Sequence, residues 1–433
     1  MKTKLLAAGI AALFAAPAMA QSSVTIYGIA DAGVMYVKNG GQDAKTKLVS
    51  GIADGSRLGF RGIEDMGGGY KAIFNLEARV ELDTGRQQTG NLSSNRTLAL
   101  TEGLNLSIPG LPAAVGAAVT GIVQGAVNPA INVNINNALF DRTSMVGLIT
   151  PVGAVLLGRM YTPGYEVLNA GDVFESGTAA GWGGIVGGTG GLLTAGIAIR
   201  SDKSIQYRME LPNGLKASAM YGTEKSGYIG LDKRSWGANV RYVANGWDVG
   251  LGHNHGTDQV GARGLVTTTL AGSYAFDNWK LFLGTHKQKN ENSVIIRLVG
   301  DTLATQLPAG LPAAVAPLIP AMLARINTTM KRNFYLDAIS YQVGLHYKVG
   351  AGRIMASVVR QDDKRADASD ATQFGLGYDY NLSKRTDVYL VGAYIKNEND
   401  GQYAIGAASA SGGFTSKPGE SSKGIQIGMR HRF

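Results

Sequence analysis

Apolar and polar residues alternate one by one along most of this chain. From Lys71 to Glu81, Ala72, Phe74, Leu76, Ala78 and Val80 fall on one face, and Asn75, Glu77, Arg79 and Glu81 on the other. Tyr341, Val343, Leu345 and Tyr347 likewise oppose Gln342, His346 and Lys348, and Ile425, Ile427 and Met429 oppose Gln426, Arg430 and Arg432. Period-two alternation sustained in this way predicts strands with one oily and one wet face. Sixteen such segments are expected, from 24–37, 56–64 and 70–81 through to 371–381, 386–396 and 423–433. Many have about ten residues, enough to cross a bilayer at the usual strand tilt.

The connections sort into two kinds. Tight turns fall at 65–69, 150–153, 212–214, 245–246, 277–278, 349–351 and 382–385, and eight longer connections lie between them. An even number of antiparallel strands, with short turns at one end and long loops at the other, predicts an all-β, 16-stranded transmembrane barrel. Closure removes the unpaired strand edges that hydrocarbon does not tolerate. A soluble sandwich has the same alternation with its faces reversed, and the pattern alone does not separate the two. The scarcity of helices to cover the oily faces, and the alternating loop lengths, favour the barrel.

Composition agrees. Charged residues make up 17% of the 433, low for a soluble protein, and the absence of cysteine excludes disulfides, thiolate metal sites and a cysteine nucleophile. The first twenty residues join a basic head (Lys2, Lys4) to an apolar centre from Leu5 to Ala16 and end Ala18-Met19-Ala20. That is the form of a cleaved secretory signal, too short to span a bilayer. Its loss leaves 21–433 as one barrel domain and lowers the formal net charge from +9 to +7.

Several stretches resemble the general porins of Gram-negative bacteria, in particular the beta-proteobacterial and neisserial branch. They are Ser23–Gly33, Ser56–Asp65, Gly158–Thr162, Ser204–Tyr207 and the terminal Gly428–Phe433. The resemblance implies an outer-membrane channel in a homotrimer, with short periplasmic turns and a third long loop, Tyr161 to Ala198, folded into the bore. It also implies that Phe433 is a signal to the barrel assembly machinery.

Passive permeation needs a hydrated bore, a constriction and a field across it. By parity Arg57, Arg61, Arg79, Arg142, Arg159, Arg200 and Arg208 fall on the wet face, a candidate basic wall. The third loop brings the acids Glu166, Asp172 and Glu175. More arginines than loop acids, with a positive mature chain, predict small hydrophilic solutes and anions as the cargo and lipid as the surroundings. The competing reading is that these arginines pair with inward acids such as Glu77, Glu81, Asp202 and Glu210 only to hold strands together. Asp31 is a further candidate lumen residue. Tyr207, Tyr242, Tyr274, Trp279, Tyr347 and Tyr378, among others, suit an interfacial belt.

Two inserts stand apart. Thr97–Leu139 has a single charged residue, Glu102, and 298–330 is similarly poor in charge. Each contains Gly-Leu-Pro-Ala-Ala-Val, at 110–115 and 310–315, with Pro112 and Pro312 placed to open short helices packed at the barrel mouth or the trimer axis. Gly67-x-Gly69-x-x-Ala72 lacks the helix a dinucleotide fingerprint requires, and the glycine run 181–191 lacks a phosphate-loop ending. His253 and His255 share a strand face without an evident third ligand. No catalysis, cofactor, metal or nucleic-acid binding is expected. An outer-membrane lipase and an adhesion barrel with a plugged lumen are the alternatives from other classes.

Overall fold

The computed structural model describes residues 23–87, 112–130, 138–186, 198–223, 234–257, 261–290, 294–366, 368–407, 412 and 414–433. The signal segment and much of the first insert lie outside the described residues. The strands are β1 (Ser23–Asn39), β2 (Lys45–Ser50), β3 (Arg57–Gly67), β4 (Tyr70–Arg79), β5 (Thr143–Thr150), β6 (Gly153–Tyr161), β7 (Arg200–Glu210), β8 (Leu215–Gly222) and β9 (Arg234–Ala244). They continue with β10 (Trp247–Thr257), β11 (Arg263–Phe276), β12 (Trp279–Asn290), β13 (Leu336–Val349), β14 (Gly352–Asp363), β15 (Ala371–Asn381), β16 (Thr386–Asn397) and β17 (Ser422–Arg432). Neighbours pair antiparallel, and β1 closes the sheet on β17 from Ile29–Arg432 to Asn39–Ser422.

Seventeen strands make a wall of sixteen because β2 and β3 occupy one place in it. On its other edge β1 pairs with β3 from Ser23 to Ile29 and with β2 from Ala32 to Val37. The wall strand is thus interrupted between Ser50 and Arg57, where residues 51–56 leave it. The expected segment 56–64 is only its lower half, and the first long connection shrinks to 40–44. Lys45–Ser50 escapes notice because six residues are too few for alternation to register.

The oily faces point outward. Leu283, Leu376 and Ile427 are 72%, 63% and 57% exposed, while Gln342, Gln373 and Gln426 on the opposite faces are buried. Trp247 packs on Tyr274 and Trp279 on Tyr347, ring centroids 4.4 Å apart in both pairs, forming an aromatic belt at the short-turn end. There Asn245 and Gly246 both take positive φ, 53° and 81°, as the two-residue hairpin demands. At the opposite end lie helices α1 (Ala113–Ala130), α4 (Val294–Gly310) and α5 (Ile319–Phe334), the last two joined by a 3-10 turn, Ala313–Leu318. Pro112 and Pro312 each sit one residue before the helical segment, which begins at Ala113 and at Ala313, instead of at its first position. No described helix is long and apolar enough to cross a membrane.

The inner face is less uniformly wet than simple alternation predicts. Met35, Phe282, Met355, Val359, Val391 and Ile395 are buried there in one apolar core with Val167, Leu168, Phe174, Trp182 and Ile185 of the third long connection. That connection carries α2 (Pro163–Gly171) and α3 (Trp182–Val186). It fills part of the bore, so the wall beneath it is oily where it packs.

Replacing Leu283 with arginine is expected to cost about 2–4 kcal/mol if its face meets lipid at mid-depth. Denaturant unfolding of the barrel reconstituted in vesicles measures this, and an unchanged midpoint would mean that the face meets water.

Candidate functional site

The third long connection is held inside by amide side chains of the wall. Thr162 caps α2, its hydroxyl accepting from Tyr165 N at 3.3 Å, with Pro163 at the first turn. Asn239 of β9 donates to Pro163 O (2.9 Å), and Asn254 of β10 accepts from Gly164 N (3.1 Å). Gln342 of β13 donates to Gly171 O (2.7 Å) and accepts from Val173 N (3.3 Å). Further along, Gln373 of β15 donates to Ala180 O (2.8 Å), and Gln426 of β17 accepts from Ala179 N (2.7 Å). Trp182 Nε1 donates to Ser340 at 2.8 Å. Gly375 leaves room for this path, since a Cβ there would stand 2.5 Å from that of Ala180.

The connection therefore runs along the inner wall from β9 round to β17 and reaches residues 51–56. Thr178 N donates to Ile52 O at 2.8 Å. The excursion itself hangs on Asp31, whose buried carboxylate accepts from the backbone N–H of Ile52 (3.0 Å), Ala53 (3.2 Å) and Asp54 (3.0 Å), and from Tyr389 Oη (2.7 Å).

Opposite the loop, three of the seven arginines meet. Arg142 and Arg200 both donate to Tyr161 Oη, at 2.9 and 2.8 Å, and the Arg200 guanidinium lies 4.4 Å from the centre of that ring. Arg142 Nε donates to Glu77 at 2.6 Å; Arg57 stands 3.9 Å from the same carboxylate and pairs with Asp54 of the excursion. Arg61 lies nearer the short-turn end, 5.3 Å from the Tyr27 ring. Arg208 pairs with Glu166 and so ties α2 to the wall.

Arg79 and Arg159 stand outside this patch. Arg79 is buried 3.2 Å from Glu81, and Arg159 is buried against Asp202 and donates to Asp141 O at 2.7 Å. Both knit the roots of long connections. Glu210 pairs with Lys216 instead of an arginine.

The loop acids divide as well. Glu166 is spent on Arg208. Asp172 is buried and turned into its own loop, accepting from the backbone N–H of Phe174 (2.9 Å), Ser176 (3.0 Å) and Trp182 (2.8 Å). Burial pushes its carboxyl up to about 7 against the pull of those donors. Glu175 reaches Arg353 of β14 at 2.8 Å, and Arg353 also pairs with Asp379 at 2.7 Å. Burial raises the Glu175 carboxyl, but Arg353 outweighs it and holds the group below its ordinary value. Glu175 takes a left-handed φ of 56° to make this contact.

Arg353, Tyr161 and the inward amides do not emerge from a search for charge excess. Parity does mark Arg353 and the amides, whereas Tyr161 shares the parity of outward Leu157 and is turned inward by the bulge between Gly158 and Met160. Of the histidine pair, His255 stacks on Trp236 at 5.6 Å and His253 lies tilted against it at 5.1 Å.

A closed barrel narrowed by an infolded third loop, with arginines facing that loop, has counterparts among known proteins. The family model for Gram-negative porins matches residues 7–400. The chain belongs to that family. Over its whole length it is 29% identical to all of outer membrane porin protein 32 of Delftia acidovorans, and 26% identical to all of an outer membrane porin protein of Bordetella pertussis. Among solved structures, the anion-selective porin from Comamonas acidovorans superposes with a TM-score of 0.63 at 26% identity, covering 95% of this chain and all of that one. This porin is thus an outer-membrane channel for passive diffusion, with its short turns periplasmic and its long connections extracellular.

The raised Asp172 group gives the loop a pH dependence. The folded protein binds that proton more tightly than the unfolded chain, so the contribution of this group to stability falls as pH rises from about 4 to about 7, and is flat above. Thermal unfolding across that window is expected to show a decline in the native porin that Asp172→Asn removes.

Proposed function

We propose that this porin prefers anions and that Arg57, Arg142 and Arg200 set the preference. The observation that carries the reading is the clustering of three permanent positive charges against two carboxylates: Arg142 and Arg57 share Glu77, Arg57 also takes Asp54, and Arg200 joins Arg142 on the phenol of Tyr161. Positive charge left at the narrowest passage raises the local concentration of anions and lowers that of cations. Arg61 and Arg208 extend the positive track along the wall, the second partly offset by Glu166. The positive mature charge and the anion-selective relative point the same way. No bond is made or broken; the cargo is small hydrophilic solutes.

The belt supports a homotrimer. Outward Trp and Tyr recur from Tyr207 on β7 to Tyr394 on β16, whereas above Tyr70 the outward positions of β4–β6 hold Ala72, Phe74, Leu76, Val146, Leu148 and Leu157. A face without interfacial anchors suits packing against another copy better than a lipid boundary. Phe433, whose N–H and C=O both pair with Gly28 where β1 and β17 close, is the element we assign to recognition by the assembly machinery.

A unit charge about 6 Å from a permeating ion in water-like surroundings is worth about 0.7 kcal/mol, or about threefold in local concentration. Because the anion loses and the cation gains by that factor, Arg200→Gln is expected to lower the anion-to-cation permeability ratio about tenfold. The reversal potential of planar bilayers under a salt gradient measures it. An unmoved potential would assign the arginine to holding the wall alone.

A further inference from the structure

The constriction makes no use of the two apolar inserts. α1 belongs to the connection between the third and fourth strands of the wall, and α4 with α5 to that between the eleventh and twelfth. Eight of sixteen strands separate these roots, so they stand half a circumference apart. Sixteen strands about 4.8 Å apart and tilted about 40° enclose a mouth about 30 Å across. Helices of 18 and 17 residues extend about 27 and 25 Å, so each is long enough to reach well over that mouth.

They meet. α1 packs along α4, and Ile122 lies against Gly310, where a Cβ would stand 2.9 Å from its Cδ1. Val119 and Val123 share one buried core with Leu303 and Leu307 of α4 and with Met322 and Ile326 of α5. The same core takes Ala198 at the root of β7, Leu265 of β11, Leu336 of β13 and Phe414 from the connection between β16 and β17. Segments rooted at the third, sixth, tenth, twelfth and fifteenth places of a ring can share one dry cluster only above its opening. Arg325, Thr328 and Lys331, on the other side of α5, are exposed, the amphipathic arrangement of a covering element.

We propose that the two inserts form a helical roof across the extracellular mouth that limits, by size, which solutes reach the constriction, separately from the selection by charge at the arginines. The repeated Gly-Leu-Pro-Ala-Ala-Val belongs to this roof: Ala113 begins α1 on one side, and Gly310 receives Ile122 on the other. The inference rests on the chain being an open channel.

Because the chain has no cysteine, Ile122→Cys with Gly310→Cys introduces a single possible pair, at two positions that touch through the end of the Ile122 side chain. In the full-length porin in outer membranes, oxidation is expected to give a cross-link within one chain, seen as a reducible change in gel mobility of the monomer band. Replacing 113–130 with a short Gly-Ser linker is expected to raise the rate at which neutral oligosaccharides swell proteoliposomes about twofold or more, increasingly so with sugar size, while the anion-to-cation ratio stays put. If that variant does not assemble, Leu307→Asp, which puts a carboxylate in the dry core, is read in the same way. A cross-link between chains, none in a folded barrel, or unchanged swelling would overturn the roof. Absence of conductance in the unaltered protein would instead refute the open channel.

Discussion

Everything at the constriction depends on the third connection satisfying its backbone polar groups inside the barrel. A loop pressed against a wall loses water, and each N–H or C=O left without a partner costs about 1–3 kcal/mol. The wall answers with amides: Asn239, Asn254, Gln342, Gln373 and Gln426 project inward from five strands and meet successive backbone groups of 162–181. An amide offers both donors and an acceptor and brings no net charge. That lets it hold a loop beside a bore whose field is set by other residues. The apolar core formed by Leu168, Phe174, Trp182 and their wall neighbours then adds burial to a path the hydrogen bonds have already specified.

This also explains which parts of the protein are legible in its sequence. Strands that face lipid on one side and water on the other alternate cleanly, and β4, β15 and β17 fall within two residues of the segments read from pattern. Met355, Val359, Val391 and Ile395 break the alternation because their wet face is covered by protein. Charge was legible as sign but not as partnership, and parity fails for Arg142 and Arg159, which share the parity of outward Val146 and Leu157 and face inward only because one precedes β5 and the other sits at a bulge. Arg79 and Arg159 carry the same signature as Arg142, and only the position of Glu81, Asp202 and Tyr161 in space sets them apart. Asp172 is the sharpest case: a loop acid in sequence, it serves as an acceptor for its own backbone.

The two proposals together amount to two filters in series. Arginine keeps its charge at any relevant pH, so the field at Tyr161 does not titrate away. Size selection at the mouth needs no charge at all, and the faces by which the roof helices pack are apolar. Each filter can change without the other, which a single constriction serving both purposes would not allow.

The interrupted second strand ties wall, loop and arginine patch together. Between the pairs Ile29–Arg57 and Ala32–Ser50, two residues of β1 face six of its neighbour. The surplus must leave the sheet, and hydrocarbon outside offers its N–H groups no partner. It turns inward, where the freed N–H groups of Ile52, Ala53 and Asp54 need an acceptor, and the residue directly opposite the break is Asp31. Once fixed, the excursion delivers Asp54 to Arg57 and offers Ile52 O to Thr178 of the loop. A mismatch of register in the wall thereby sets the distance between the loop tip and the basic patch. An alanine at position 31 would leave the N–H groups of Ile52, Ala53 and Asp54, buried or half-buried, without an acceptor, and the two sides of the constriction would lose their common anchor.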